Sequence, residues 1–386
     1  MSARRILAGR ACPSRWRAPG VTYRVAVTPR RGGPHARPRP GIRSPWLVGV
    51  VASAGLLAAC SGDPEPIAAS GSTAPAPAAA SASAIPEPAP SPEPTTSPLS
   101  GRTGGVGTPV MVVKLDNTPS AQPHRGLTKA DIVYVEPVEW GLTRLAAVFS
   151  TSMPETVGPV RSARISDIQV FAPLGDIAFV YSGAQHRLWP KLAAADWKQV
   201  SEDVDSAGFY RDRTRPAPYN LMAQPKTVLA TSGATATSHD MGWVFDEEPP
   251  AGGRPAKVMT ARWDHATMQF RWRAKKGLYD IWMGGHQMRD TDKPGVQRAS
   301  TVIVQYVKET DSGYGDKFGG RTPLSTTVGS GKGLLLRDGT AYRITWQRSS
   351  AGEPTQYLDA DGEPIAFDPG QLWILLKDRT KKVTVE

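Results

Sequence analysis

Apolar residues beyond position 100 come in short runs, and the spacing inside each run reads as a strand or a helix. VMVVKLDN (110–117) is a nearly unbroken apolar run closed by a polar turn, the pattern of a buried strand. ADIVYVEPVEWGLTRLAAVFS (130–150) reads as two strands joined around Trp140 and Gly141. Pro137 inside it predicts an edge position or a bulge, because proline cannot donate to a ladder. In ISDIQVFAPLG, Ile165, Ile168, Val170 and Phe171 share part of one face, as in a short helix. DIAFVYSG (176–183) reads as a strand, and HRLWPKLAAADW (186–197) as a helix despite Pro190. PKTVLATSG (225–233) reads as a helix closed by Gly233. Strands interleaved with helices predict a mixed α/β or α+β N-terminal domain over 101–245.

The pattern changes after DEEPPAGGRPA (246–256), where charge, Pro and Gly cluster without apolar periodicity and mark a linker. MQFRWRAKKGLYDIWMGG (268–285) alternates about a Lys-Gly turn, and STVIVQYVKE (300–309) is a strong strand. Asp-Gly pairs at 338–339 and 361–362 signal hairpin turns, and the run before Asp378 ends in a strand. Residues 257–386 are therefore predicted to be a β-rich, mainly antiparallel C-terminal domain.

Composition changes the picture only at the N-terminus. The formal charge of +11 suggests a nucleic-acid partner until it is located. Residues 1–59 hold eleven arginines and no Asp, Glu or Lys, which leaves 35 basic and 35 acidic residues in the rest. The body has no global electrostatic footprint for nucleic acid. WLVGVVASAGLLAA (46–59) is short for a membrane span but suits the apolar core of a signal peptide. Residues 1–59 are thus read as a signal peptide with a long basic n-region, as when a start codon is placed too far upstream. LAAC (57–60) resembles the bacterial lipobox, which implies cleavage before Cys60 and a lipid on its thiol. Residues 60–100 are mostly Ala, Pro, Ser, Thr and Glu, with no aromatic, Lys or Arg, and read as a disordered tether. Forty such residues span roughly 35 Å as a coil and about 120 Å extended. The expected location is extracytoplasmic, anchored to the membrane through Cys60.

Cys12 and Cys60 are the two cysteines, and no HxxxH or CxxC spacing occurs. No structural metal and no cofactor are expected. The main candidate for chemistry is GPVRSAR (158–164), between a strand and a helix. A helix beginning near Ser162 would set free N–H groups beside Arg161 and Arg164, whose planar forks suit carboxylate or phosphate. Arg144 is a third candidate. The alternative is a structural lock in which these arginines pair with Asp131, Glu136, Glu139 or Asp167. Catalysis has weaker support. Ser182 and His186 lack a nucleophile elbow, and Glu136 and Glu139 are spaced to point apart along a strand. The two functional classes left open are a module binding a wall glycan or an anionic polymer, and a hydrolase of wall glycan or peptide.

LDNTP, GLTKADIVYVEPVEWGLTRLAAVF and GPVRSAR together resemble the YerB-like lipoprotein family. The likeness continues through FYRDRTRPAPYNL (209–221), GRTPLS, GKGLLLRDG, ITWQ and DGEPIAFDPGQLWILL, and covers nearly all of 105–386. It implies two domains and an envelope location, and singles out Asn117, Asp131, Glu139, Arg144, Arg161, Ser162 and Arg164 as motif positions. The chain departs from the family pattern at Val135, in place of Glu, at His124-Arg125, in place of a polar pair, and at Tyr219, in place of His.

Overall fold

Strands form wherever β-branched and apolar runs lie between turns, in a computed structural model that describes residues 95–291 and 295–386. The predicted leader, Cys60 and tether residues 60–94 lie outside the described residues. In chain order the N-terminal half holds β1 (Met111–Asp116), β2 (Ile132–Pro137), β3 (Thr143–Phe149), α1 (Ile165–Phe171), β4 (Ala178–Tyr181), α2 (Trp189–Ala193), β5 (Lys198–Ser201) and α3 (Pro225–Ser232). The C-terminal half holds β6 (Val258–Arg262), β7 (Thr267–Arg273), β8 (Leu278–Met283), β9 (Thr301–Gly315), β10 (Arg321–Thr326), β11 (Gly329–Arg337), β12 (Thr340–Arg348), β13 (Gln356–Leu358) and β14 (Leu372–Asp378). Among the described residues no helix is long and apolar enough to cross a membrane.

One mixed 12-stranded sheet draws on both halves; ten of its strands run in the order β13-β12-β11-β9-β14-β2-β3-β1-β4-β5, with β10 beside β9 and Arg254–Pro255 beside β12. Neighbours are antiparallel except that β14 runs parallel to both β2 and β9, and β4 runs parallel to both β1 and β5. The last long strand of the chain therefore sits in the middle of the sheet. A smaller six-stranded sheet contains β8, β7 and β6 in that order. It covers one face of the large sheet, where Val133, Val135, Trp373 and Leu375 meet Met259, Phe270 and Ile281. Short helices cover the other face, where Ile132, Tyr134 and Ile374 meet Phe171, Leu174 and Leu188. Strand β2 is buried on both faces, which explains its unbroken apolar run. Each such side chain contributes about 1.5–3 kcal/mol by leaving water.

Three expectations are corrected. Pro137 is not on an edge strand: β2 is central, and Pro137 is its last residue, past the end of the pairing with β14. The C-terminal half is mainly antiparallel as expected, and β14, parallel on both sides, is its exception. The end of the predicted tether belongs to the body: Leu99 and Ser100 are fully buried, and the Ser100 hydroxyl donates to Asp131 Oδ1 at 2.7 Å. Residues 246–256 are not a free linker between separate bodies. The buried Arg337 donates to the carbonyls of Asp246 (2.8 Å) and Glu247 (2.9 Å), and Arg254–Pro255 pair with β12.

Candidate functional site

Residues 158–164 cross the end of β1 as extended chain. Val160 pairs with Leu115, the Asp116 N–H donates to the Pro159 carbonyl at 3.1 Å, and the Arg161 N–H donates to the Lys114 carbonyl at 2.9 Å. On the far side Ala163 donates to Gly183 (3.0 Å), and Ser182 donates to Arg161 (2.9 Å). A Cβ on Gly158 would collide with Met222 Sδ and the Leu221 carbonyl, so the corner needs glycine there. Helix α1 begins at Ile165, not near Ser162. Arg161 and Arg164 consequently share no helical turn, and they reach different carboxylates.

Arg164 grips Glu139 Oε2 through Nε at 3.0 Å and Nη2 at 2.5 Å, and Thr322 donates its hydroxyl to the other carboxylate oxygen. Burial pushes the Glu139 carboxyl up, but the Arg164 charge and these hydrogen bonds outweigh it and hold the pKa below the usual range. Arg161 Nε lies 2.7 Å from Asp116 Oδ2 and Arg144 Nη2 lies 3.7 Å from it, ion pairs by distance without aligned hydrogen bonds. Asp116 Oδ1 instead accepts from the Thr118 N–H (2.8 Å) and hydroxyl (2.6 Å). Burial lowers the Arg144 guanidinium to about 10, against the opposing pull of Asp116. Between these pairs the fully buried Lys114 donates to Glu136 Oε1 and Asp167 Oδ1, both at 2.8 Å. Burial and the Asp167 charge push Glu136 up to about 8. Asp167 Oδ2 also accepts the Arg164 N–H at 2.6 Å, tying the cluster to the start of α1.

Beside this cluster a cleft of about 500 Å³ is lined by Glu139, Ser162, Arg164, Gln185, His186, Tyr314, Asp316 and Lys317, among others. Arg187 and Lys191 each hold a cationic group 5.5 Å from the Tyr314 ring. Trp140, 52% exposed, donates its indole N–H to Oδ2 of the lining residue Asp316 at 2.9 Å. Its φ of 63° is left-handed, which a bulky side chain rarely adopts.

The structure thus brings together Asn117, Glu139, Arg144, Arg161, Ser162 and Arg164. Asn117 donates to Thr143 at 2.8 Å, one residue from Arg144. Asp131 lies elsewhere, just before β2 begins. It accepts the Ser150 and Thr151 N–H groups at 2.8 Å, and it is not a partner of the GPVRSAR arginines. Ser182 and His186 form no hydrogen bond with each other among the described residues. Sequence reasoning missed Lys114 and Asp116; a lysine inside the apolar run VMVVKLD was the available signal. It also missed Trp140 and Tyr314, which no local pattern distinguishes from core aromatics. Two departures from the family pattern have places here. His124 is buried, its Nε2 2.7 Å from the Asp116 carbonyl, and the Tyr219 ring lies 5.8 Å from the Arg161 guanidinium.

A strand-rich protein whose two sequence halves share one mixed sheet, with a buried charge cluster at one end, is the class this fold and site define. Residues 97–238 match the family described as "Protein of unknown function (DUF3048) N-terminal domain", and residues 259–374 match its "C-terminal domain". The chain belongs to this family. It is 30% identical over 287 residues to the Bacillus subtilis (strain 168) protein described as "Putative lipoprotein YerB", covering 69% of this chain and 80% of that one. Its fold is similar to the crystal structure of the YerB protein from Bacillus subtilis, with TM-score 0.63 and 22% identity over 75% of this chain and 99% of that one. The family resemblance carried by GLTKADIVYVEPVEWGLTRLAAVF and GPVRSAR is borne out.

Proposed function

We propose that this chain is an envelope lipoprotein, anchored through Cys60, whose body binds a wall glycan in the cleft beside Arg164. The anchor is supported by the apolar run ending in LAAC and by the lipoprotein description of its relative. Binding rests on one observation above all: the Tyr314 ring lines the cleft among Ser162, Gln185, His186, Asp316 and Lys317, and the exposed Trp140 is hydrogen-bonded to Asp316 beside it. Aromatic faces with a few placed polar groups suit the alternating apolar and hydroxyl faces of a sugar. A glycan fits better than a plain polyanion, because Arg164 is already neutralised by Glu139. Hydrolysis has no such support: Glu136 is sealed in the core, and Glu139 is committed to Arg164 and Thr322.

Two experiments test the reading. Wild type incorporates labelled lipid and partitions to membranes in a bacterial host, whereas Cys60→Ala does neither; equal behaviour overturns the anchor. Wild type co-sediments with purified wall glycan, and Tyr314→Ala loses this with unchanged melting. Equal sedimentation overturns the glycan site, and release of soluble fragments with turnover replaces binding by hydrolysis.

A further inference from the structure

Strand β9 changes partner midway along its length. It pairs with β11 as far as Gln305↔Gly333 and with β10 from Lys308↔Thr326 onward. Residues Gly329–Lys332 do not follow it and stay with β12. The sheet therefore forks at Tyr306–Lys308. Trp346 fills the fork, its indole N–H donating to the Tyr306 carbonyl at 3.0 Å. A Cβ on Gly331 would lie 2.6 Å from the indole nitrogen, so glycine at 331 is what lets the ring in. Above the ring remains a cleft of about 500 Å³, walled by Gly329–Lys332 and by the turn after β14.

Its charge is one-sided. Lys308, Lys332, Arg379 and Lys382 line it, and no Asp or Glu does. Among the described residues none of the four side chains has an ion-pair partner; Lys382 rests its ammonium 4.2 Å from the Tyr306 ring. The adjacent Lys381, by contrast, is paired with Asp264 at 2.9 Å. The edge of Gly329–Lys332 facing β9 has no partner in register, and an unpaired strand edge offers N–H donors. Ser330 adds a hydroxyl.

We propose that this cleft is a second binding site, for a phosphate-bearing anion carrying at least two negative charges. A single carboxylate would balance one of four cations. A phosphate offers about 1.5–2 charges and three strong acceptors. The Arg379 fork suits two of those acceptors, and the lysines supply point charges. The site stands on different residues from the glycan cleft and does not depend on it. The phosphate comes either from a soluble or polymeric oligophosphate or from a phospholipid headgroup.

The test uses the full chain with Cys60→Ala, so that no lipid anchor contributes. The probes are inorganic tripolyphosphate, by titration calorimetry, and phosphatidylglycerol vesicles against phosphatidylcholine vesicles, by flotation. The variants are Lys332→Gln/Lys382→Gln and Lys308→Gln/Arg379→Gln; the arginine-rich leader is common to all, so differences report the cleft. Each double variant is expected to weaken binding at least ten-fold, whereas Lys332→Arg/Lys382→Arg retains it. Tripolyphosphate binding without flotation assigns the soluble or polymeric source; flotation lost in the double variants assigns the headgroup. A second measurement needs no variant: tripolyphosphate lowers acylation of Lys308, Lys332 and Lys382 several-fold and leaves the exposed Lys275 and Lys276 unchanged. Equal binding by parent and double variants, binding of neither probe, or uniform acylation overturns the proposal.

Discussion

Lys114, Glu136 and Asp167 form a buried group whose charge depends on pH. The folded protein holds a proton on Glu136 up to about pH 8, whereas an unfolded chain releases it near 4.5. The stabilisation tied to that proton is complete below about 4.5 and is lost as pH rises through about 8. Glu136→Gln keeps an acceptor for Lys114 and cannot ionise. Its denaturation midpoint is expected to vary less than wild type between pH 5 and 8, and to exceed wild type at pH 8. Parallel urea titrations across that range check it, and identical pH profiles refute it. Arg164 answers the question posed by GPVRSAR more directly. Glu139 is buried and Arg164 half-buried, and two hydrogen bonds join them, so Arg164→Ala leaves a buried carboxylate without its counter-charge. The expected loss is about 3–5 kcal/mol by chemical denaturation. Arg161→Ala costs less, because Asp116 keeps Arg144 and both Thr118 donors. The heptapeptide singled out Arg161 and Arg164 as residues seeking an anionic partner, and each stands beside a carboxylate. Glu139 was among the partners the sequence offered, whereas Asp116 was not, since it is brought to Arg161 only by the pairing of residues 158–164 with β1.

The turn between β2 and β3 shows how one element couples to another across the fold. Trp140 and Gly141 are both left-handed, and the turn closes through the Leu142 N–H to the Glu139 carbonyl at 3.2 Å. It packs on the hairpin of β9 and β10, where Gly320 leaves room for the Trp140 indole. A Cβ at 320 would collide with the indole nitrogen and lie 2.9 Å from Glu139 Cβ. Gly320→Ala is therefore expected to displace Trp140 and loosen the Glu139–Thr322 contact, costing about 1–3 kcal/mol. Thermal melting and the Trp140 fluorescence, read against Trp140→Phe, check both effects; an unchanged melt and spectrum would reject the coupling. Hairpins such as β11–β12 were legible because Asp338 and Gly339 advertise a turn with two positive φ values. The short strands Phe209–Arg211 and Leu221–Ala223 were not legible, since three residues carry too little periodicity to separate from loop. The parallel setting of β14 was not legible either. An apolar strand buried on both faces looks the same whichever way its neighbours run.

At the scale of the molecule, the sequence has two halves but the sheet does not. Strand β14 comes from the end of the chain and lies between β2 and β9, with Tyr134 opposite Ile374 and Ile303 opposite Ile374 on the other side. Without it, β2 loses its parallel neighbour, and Ile132 through Val135 face water along one edge. The smaller sheet comes wholly from the second half, yet its buried face belongs to both, because Met259, Phe270 and Ile281 cover Val133 and Val135 from the first half. The linker-like composition around 246–256 carries no hint of this interleaving, since strand pairing between distant segments leaves no mark on local spacing. A fragment ending at residue 256 is expected not to fold alone, although it contains the whole N-terminal family segment. It should show collapsed amide dispersion by nuclear magnetic resonance and rapid proteolysis. Truncation of the full chain after Gln371 should have the same effect on the first half, by removing one strand. Co-expression of 95–256 with 257–386 should restore a protected complex, as the missing strand is then supplied in trans. A dispersed, protease-resistant spectrum from the first fragment by itself would show that the two halves fold separately and only dock.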